Sequence, residues 1–322
     1  MASSPTQRVR TACKAVADRA NFVRIERDLA TSYAASLPLE QATAPQLDPN
    51  RHYFGNPYDT VAFFLTLDAI NFGSGYFPHL RKRPGMSGYF TVAASLTDYY
   101  RERGPLSAQE LTQLTTEDCA RMFGQEPAEE PVRELMGHFA RALNDLGRYL
   151  IERFDGSFGG LIEETSSSAE RLARLLVEMP YFDDVHNYKG RKVPFYKRAQ
   201  LTAADLWVAF GGRGPGHFDD LERLTIFADN LVPHVLRVDG VLLYEEALAS
   251  RIEAEELIPA GSAEEVEIRA CAVHVVELLK RELHEEGREV TAMGLDYLLW
   301  NRGQQPYYKK ARPRHRTRTV FY

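Results

Sequence analysis

Residues 193–237 read VPFYKRAQLTAADLWVAFGGRGPGHFDDLERLTIFADNLVPHVLR, and this stretch decides the fold. Its first part predicts a helix from about Lys197 to Phe210. Gly211 and Gly212 end that helix, because glycine reaches the left-handed backbone that stops helices. Arg213, Gly214, Pro215 and Gly216 make a tight connector whose backbone N–H groups suit a phosphate. A second helix is expected from about Asp219, with Asp219 or Asp220 favourable at its positive end. It breaks at Phe227-Ala228-Asp229-Asn230, and Pro233 fits the first turn of the next helix. The order is helix, glycine hairpin, helix, and an aspartate just before a new helix.

The rest of the chain sets the context. With 322 residues, 44% hydrophobic and 26% charged, the composition is that of a soluble globular protein of one large domain or two smaller ones. The net charge of −6 argues against bulk nucleic acid as the main partner, which calls for a basic footprint. Cys13, Cys119 and Cys271 are odd in number and far apart, which implies reduced thiols and no disulfide framework. MASSPTQRVR at the start lacks an apolar signal core, and no run approaches the ~18 apolar residues of a membrane span. A cytoplasmic protein without a membrane partner is expected.

Working outward, Arg8 to Leu37 reads as a helix, a short extended piece at Phe22–Ile25, and a second helix. The segment from Pro38 to Pro57 is polar and punctuated by proline, so it is a loop. A helix follows over Tyr58–Phe72, where Val61, Phe64, Leu65, Asp68 and Phe72 share a face. An acid in that apolar stripe is costly to bury unpaired, so Asp68 either pairs locally or lines a polar pocket. Further helices are expected over Ser87–Arg103, in short pieces around 107–123, over Pro131–Phe154 and over Phe158–Met179. YFDDVHNYKGRKVP at 181–194 predicts a two-stranded excursion turning at Lys189-Gly190. Two last helices span Glu264–Glu286 and Thr291–Asn301; on the latter, Asp296 and Trp300 are four apart and project together. No repeat or low-complexity linker interrupts this pattern. It predicts an all-α fold with a small β excursion, most simply one domain over 1–322, with a division near Asp155-Gly156 as the alternative.

Helix, GxG-type hairpin, helix and aspartate resembles the helix-hairpin-helix DNA glycosylases, with Asp229 at the place of their catalytic aspartate. Lys197 resembles the lysine that some of them carry upstream. PFYKRAQ at 194–200, FADN at 227–230, EVEIRA at 265–270, LDYLLW at 295–300, LDAINF at 67–72 and SGYF at 87–90 sharpen this. Together they are similar to the queuosine salvage family, from about residue 10 to Phe321-Tyr322. The resemblance implies a glycosylase-like helical fold and hydrolysis of queuosine 5′-phosphate to queuine and ribose 5-phosphate.

Such a hydrolysis passes through an oxocarbenium-like sugar, which needs a negative charge near C1′, an oriented water and help for the leaving base. By pattern alone Asp229 reads first as an N-cap and second as a catalytic group; the resemblance implies that it is the catalytic carboxylate. Phe227 either stacks on the base or fills the core. Lys197 and Arg198 begin a helix, where cations oppose the dipole. Lys197 is therefore read as the phosphate ligand, with solvated surface cations as the bland alternative. Queuine carries a secondary amine, protonated near neutral pH, and a buried carboxylate is its natural partner. Asp296 beside Trp300 is the first choice for the base pocket; Asp68, with Asn71 and Phe72, is the second. His52 is a weaker ligand candidate. Lys309–Arg318 is read as a solvated basic tail, with phosphate contact as the alternative. No metal-ligand spacing, Walker loop, dinucleotide loop or nucleophile elbow is present, so neither metal nor other cofactor is expected. The competing readings are a DNA base-excision glycosylase with Lys197 forming a Schiff base, and a non-catalytic helical binding module.

Overall fold

The helix Ala263–Glu285 is buried around most of its circumference, and the reason lies in its sequence. Val266, Ile268, Cys271, Val275 and Leu279 form the apolar stripe, while Glu265, Glu267 and Arg269 are also buried, each with polar partners. Ser262 starts the helix by accepting the Glu265 N–H. Against this spine pack the helices Pro5–Ala17, Arg27–Ser36, Val232–Val238 and Ala292–Gln304. The computed structural model describes residues 3–44, 46–126, 128 and 130–322. Met1 and Ala2 of the N-terminal stretch, and Pro45 of the proline-punctuated loop, lie outside the described residues. Of the described residues, 59% are helical and 5% are in strands.

Two compact units divide it, each assembled from separated stretches. The first comprises Met1–Pro45, Asp184–Lys197 and Asp220–Arg318, and holds the spine described above. It also holds both small sheets. Val23–Ile25 pairs antiparallel with Leu242–Tyr244, a partner more than 200 residues away. Val185–Tyr188 pairs with Arg191–Pro194 across a turn in which Lys189 (φ 48°) and Gly190 (φ 79°) are both left-handed. That is the primed geometry a two-residue hairpin needs.

The second unit comprises Gln46–Asp183, Arg198–Asp219 and Thr319–Tyr322. Its core is built on Pro57–Ala69, whose last ten residues are all buried, packed with Gly88–Arg103, Glu130–Phe154 and Phe158–Glu164. Asp155-Gly156 lies inside this unit. Cys13 and Cys271 are free and buried in the first unit, and Cys119 in the second. Burial pushes all three thiols upward, Cys119 to about 12.

The helix Lys197–Phe210 has the expected bounds, and Gly211 and Gly212 follow it at φ 60° and 70°. The second helix of the hairpin does not form. In its place are two 3-10 turns, Gly214–Gly216 and Leu221–Arg223, and then extended chain. The cause is legible afterwards: Leu224-Thr225-Ile226-Phe227-Ala228 is a contiguous buried run, so it lacks the polar face a helix here would present. Pro233 does open the next helix, Val232–Val238. Phe158–Met179 is likewise two helices, Phe158–Glu164 and Ala169–Leu176, because Ser166 and Ser167 adopt φ 48° and 59° between them. The Tyr58–Phe72 helix ends at Ala69. The basic tail is not simply solvated. Pro306–Ala311 is helical, His315 and Thr317 are buried, and Arg316 O accepts the Ile258 N–H at 2.8 Å.

Candidate active site

Five of the residues singled out from sequence lie in the first unit: Lys197, Phe227, Asp229, Asp296 and Trp300. Asp229 sits on the non-helical segment before Val232–Val238, half-buried. Its Oδ1 accepts the N–H groups of Leu231 (2.7 Å) and Val232 (3.3 Å). The N-cap position itself is Leu231, so Asp229 is not the cap residue; it lies two positions ahead and takes up N–H groups at the helix start. These bonds do not displace a chemical role, since both fall on one oxygen and fix the direction of the carboxylate.

Asp296 comes from the helix Ala292–Gln304, on its buried side. Its Oδ1 accepts the Phe227 N–H at 2.9 Å. Burial raises its pKa well above the usual carboxylate value. The Asp229 charge pushes in the same direction, while the Phe227 N–H and the Lys197 cation pull weakly the other way. Asp229, Asp296 and Lys197 thus share one electrostatic neighbourhood. Gly303 on the same helix makes this packing possible: a Cβ there would lie 2.5 Å from Leu231 Cδ1. Phe227 is buried, with the Tyr297 ring 6.3 Å away, and its backbone reaches Asp296. Trp300 is half-buried.

Lys197 is only 7% exposed and Arg198 2%, so neither is a solvated surface cation. The two differ in what surrounds them. The Lys197 N–H donates to Asp184 Oδ2 (3.3 Å), and the residue before it, Tyr196, is left-handed at φ 50°. That strained backbone turns the chain immediately ahead of Lys197; such residues persist where their surroundings enforce them. Arg198 belongs to the second unit. It donates to the carbonyls of Asp68 (2.8 Å), Ala69 (2.7 Å), Val320 (2.9 Å) and Tyr181. Its guanidinium lies 4.8 Å from the Phe72 ring centroid and 4.7 Å from that of Phe182. It therefore terminates the helix Pro57–Ala69, and Phe72 serves this knot and the core cluster with Phe139 and Tyr181.

Asp68, Asn71, Phe72 and His52 all lie in the second unit. Asp68 is fully buried, and the Asn71 side-chain amide donates to its Oδ1 at 3.4 Å. His52 is buried, stacked on Phe64, with Nε2 3.3 Å from the Tyr89 hydroxyl. Burial depresses its pKa, so the ring is neutral near pH 7. The charges of Asp68 and Asp205 reach Tyr89, so a second polar cluster runs from His52 through Tyr89 to Asp68.

Sequence reasoning missed Asp184, Glu267 and Arg269. Arg269 and Asp184 form a buried two-pronged ion pair, at 3.0 and 2.6 Å. Burial works against the Asp184 charge, yet Arg269 and His186 outweigh it and hold the carboxyl well below the usual range. Glu267 Oε2 accepts the N–H groups of Asn21, Phe22 and Val23. Charges spaced two apart in EVEIRA, inside an otherwise apolar helix, were the available signal. Among the described residues, no group of three or more His, Cys, Asp or Glu side chains is arranged to hold a metal ion. No described helix is long and apolar enough to cross a membrane.

The family described as queuosine salvage protein matches residues 51–322. A Sphaerobacter thermophilus protein named queuosine 5′-phosphate N-glycosylase/hydrolase is 39% identical over 319 residues, 98% of this chain and 97% of that one. Proteins of the same name from Dictyostelium discoideum and Mus musculus are each 34% identical. They align over 82% and 73% of this chain, and over 78% and 72% of their own lengths. A family match over most of the chain, and a relative aligned along nearly all of it, make this chain a member of the queuosine salvage protein family.

Proposed function

We propose that this protein hydrolyses the N-glycosidic bond of queuosine 5′-phosphate, releasing queuine and ribose 5-phosphate for reuse of the base in tRNA modification, in the cytoplasm and without a metal or other cofactor. The observation that carries the reading is the short segment 227–231, whose N–H groups orient two carboxyls, Asp296 through Phe227 at 2.9 Å and Asp229 through Leu231 at 2.7 Å, in a chain whose relatives bear that activity in their names. Asp229 is the carboxylate that stabilises positive charge developing at C1′ and receives a proton from the attacking water. The bond from C1′ to the base nitrogen breaks as the water oxygen bonds to C1′.

The leaving group is a 7-deazaguanine, with carbon where guanine has N7, so protonation at N7 is not open to it. Burial and the Asp229 charge raise the Asp296 pKa, which favours a proton or hydrogen bond from Asp296 to another edge of the base over the ion pair with queuine's amine that the sequence suggests. An acid whose pKa is raised is active on the low-pH side. kcat/KM accordingly falls as pH rises through the elevated value, and Asp296→Asn loses that limb. Lys197 holds the 5′-phosphate by a charge-assisted contact. Phe227, Trp300, Asp68, Asn71, Phe72 and His52 are the further substrate-binding candidates. Phe72 and His52 are weaker for being engaged in core packing.

The test incubates the pure protein separately with queuosine 5′-phosphate and with lesion-bearing duplex DNA. Base release from the nucleotide alone is expected. Release from DNA alone would select the base-excision reading, and release from neither would leave a binding module.

A further inference from the structure

The pair Arg269–Asp184 touches the peptide groups beside both residues that carry the proposed chemistry. Arg269 Nε donates to Ala228 O at 2.9 Å, the carbonyl immediately before Asp229. Its two terminal nitrogens take Asp184 Oδ1 and Oδ2, and one of them also reaches Glu265 Oε1 at 3.4 Å. Asp184 in turn accepts the Lys197 N–H on Oδ2, and its carbonyl accepts the N–H groups of Phe195 (2.9 Å) and Tyr196 (3.5 Å). The Phe195 ring centroid lies 4.0 Å from the Arg269 guanidinium carbon. An unbroken line of contacts therefore runs from Ala228 through Arg269 and Asp184 to Lys197, and it lies wholly within the first unit.

We propose that Arg269 and Asp184 are positioning residues, a buried clasp that fixes the Asp229 segment and the start of the helix at Lys197 at one distance. The idea rests on the roles given above to Asp229 and Lys197. Stability is a poor explanation of the pair, because a buried ion pair exchanged for apolar side chains of similar volume is often neutral or stabilising. A guanidinium is what the geometry demands: its planar fork binds a carboxylate with two nitrogens while a third stays available for a carbonyl. A lysine ammonium has no such reach. The clasp also holds the strained Tyr196 through the Asp184 carbonyl, which aims the Lys197 backbone.

Two variants and two readouts test it. R269M/D184L removes the ion pair as a unit and the tie with it; Glu265 loses its Arg269 contact and keeps the Gly261 N–H, so a cooperative melt first establishes that the variant is folded. In R269K the charge stays and the fork goes. Turnover of queuosine 5′-phosphate should fall at least 30-fold in kcat for the double variant. For R269K it should fall about 10-fold, with KM within about 2-fold, since Lys197 keeps its Asp184 partner. The second readout needs no substrate. The Leu231 and Val232 amides, which donate to Asp229, should exchange hydrogen at least 10-fold faster in both variants relative to the core amides of the helix Glu130–Phe154, so that the local loosening is read apart from any drop in melting temperature. Wild-type exchange at these amides in either folded variant overturns the clasp. Wild-type kcat in folded R269K does the same. If the wild-type protein releases no base, the substrate reading fails and amide exchange alone decides the clasp.

Discussion

Lys197 and Arg198 are adjacent in sequence, both buried, and surrounded in opposite ways. Arg198 spends its guanidinium on backbone carbonyls, between two aromatic rings. Lys197 stands within reach of a carboxyl group that its charge helps to ionise. Carbonyls at a helix end are fixed partial charges that do not titrate, so a cation held by them contributes to architecture. A cation facing a carboxyl group that can gain or lose a proton is part of a system whose charge state changes, and that is where chemistry is done.

The largest effect expected on the chemical side is from Asp229→Asn. The amide oxygen still accepts the Leu231 and Val232 N–H groups, so the fold persists while the charge is gone. Loss of one positioned charge-stabilising group costs ~2.7–4 kcal/mol, about 10²–10³ in kcat. Steady-state turnover retaining more than about a tenth of the wild-type value would remove Asp229 from the role. On the architectural side, Arg198→Met should leave buried carbonyls unmet at ~1–3 kcal/mol each and lower the unfolding midpoint in urea markedly. An unchanged midpoint would erase the contrast between the two cations.

Lys197→Ala sharpens it from the other direction. KM for queuosine 5′-phosphate should rise by ~1.5–3 kcal/mol, about 10- to 100-fold, and far less for the free nucleoside. Equal losses for both would mean that Lys197 does not read phosphate, and a borohydride-trapped adduct would favour the lyase reading. Asp296→Ala should lower kcat/KM at least ~10-fold, ~1.4 kcal/mol, with guanosine 5′-phosphate a poor substrate in wild type and variant alike. A folded variant at the wild-type rate would make Asp296 a structural acid. The smallest effect is none at all: EDTA should leave activity unchanged, and inhibition that added metal reverses would contradict the proposed mechanism.

How far these assignments were legible depends on whether the cause was local. The Lys197–Phe210 helix, its glycine stop, the Lys189-Gly190 turn and the Pro233 helix start all follow from residues a few positions apart. Asp229 could be placed before a helix, and both its bonds to the helix-start N–H groups and its candidacy for chemistry follow from that place. What was not legible is non-local. Nothing in 219–231 alone shows that Leu224–Ala228 is buried on every side, which is why a helix was expected there. Arg269 and Asp184 are 85 positions apart, and Val23 and Tyr244 farther still. Helix-start position, a local cue, leaves Arg198 either near a phosphate or in solvent, whereas its four carbonyl partners come from three separate segments.

The buried thiols described with the fold give each unit a built-in clock. A cysteine reacts only as an exposed thiolate, and these three are hidden with their pKa values raised. Alkylation must therefore wait for the surrounding structure to open. Cys119 times openings in the unit with the Arg198 knot, and Cys13 and Cys271 those in the unit with Asp229. Peptide-resolved alkylation rates at graded low denaturant would measure the opening free energy of each separately, without any label having been engineered into the chain.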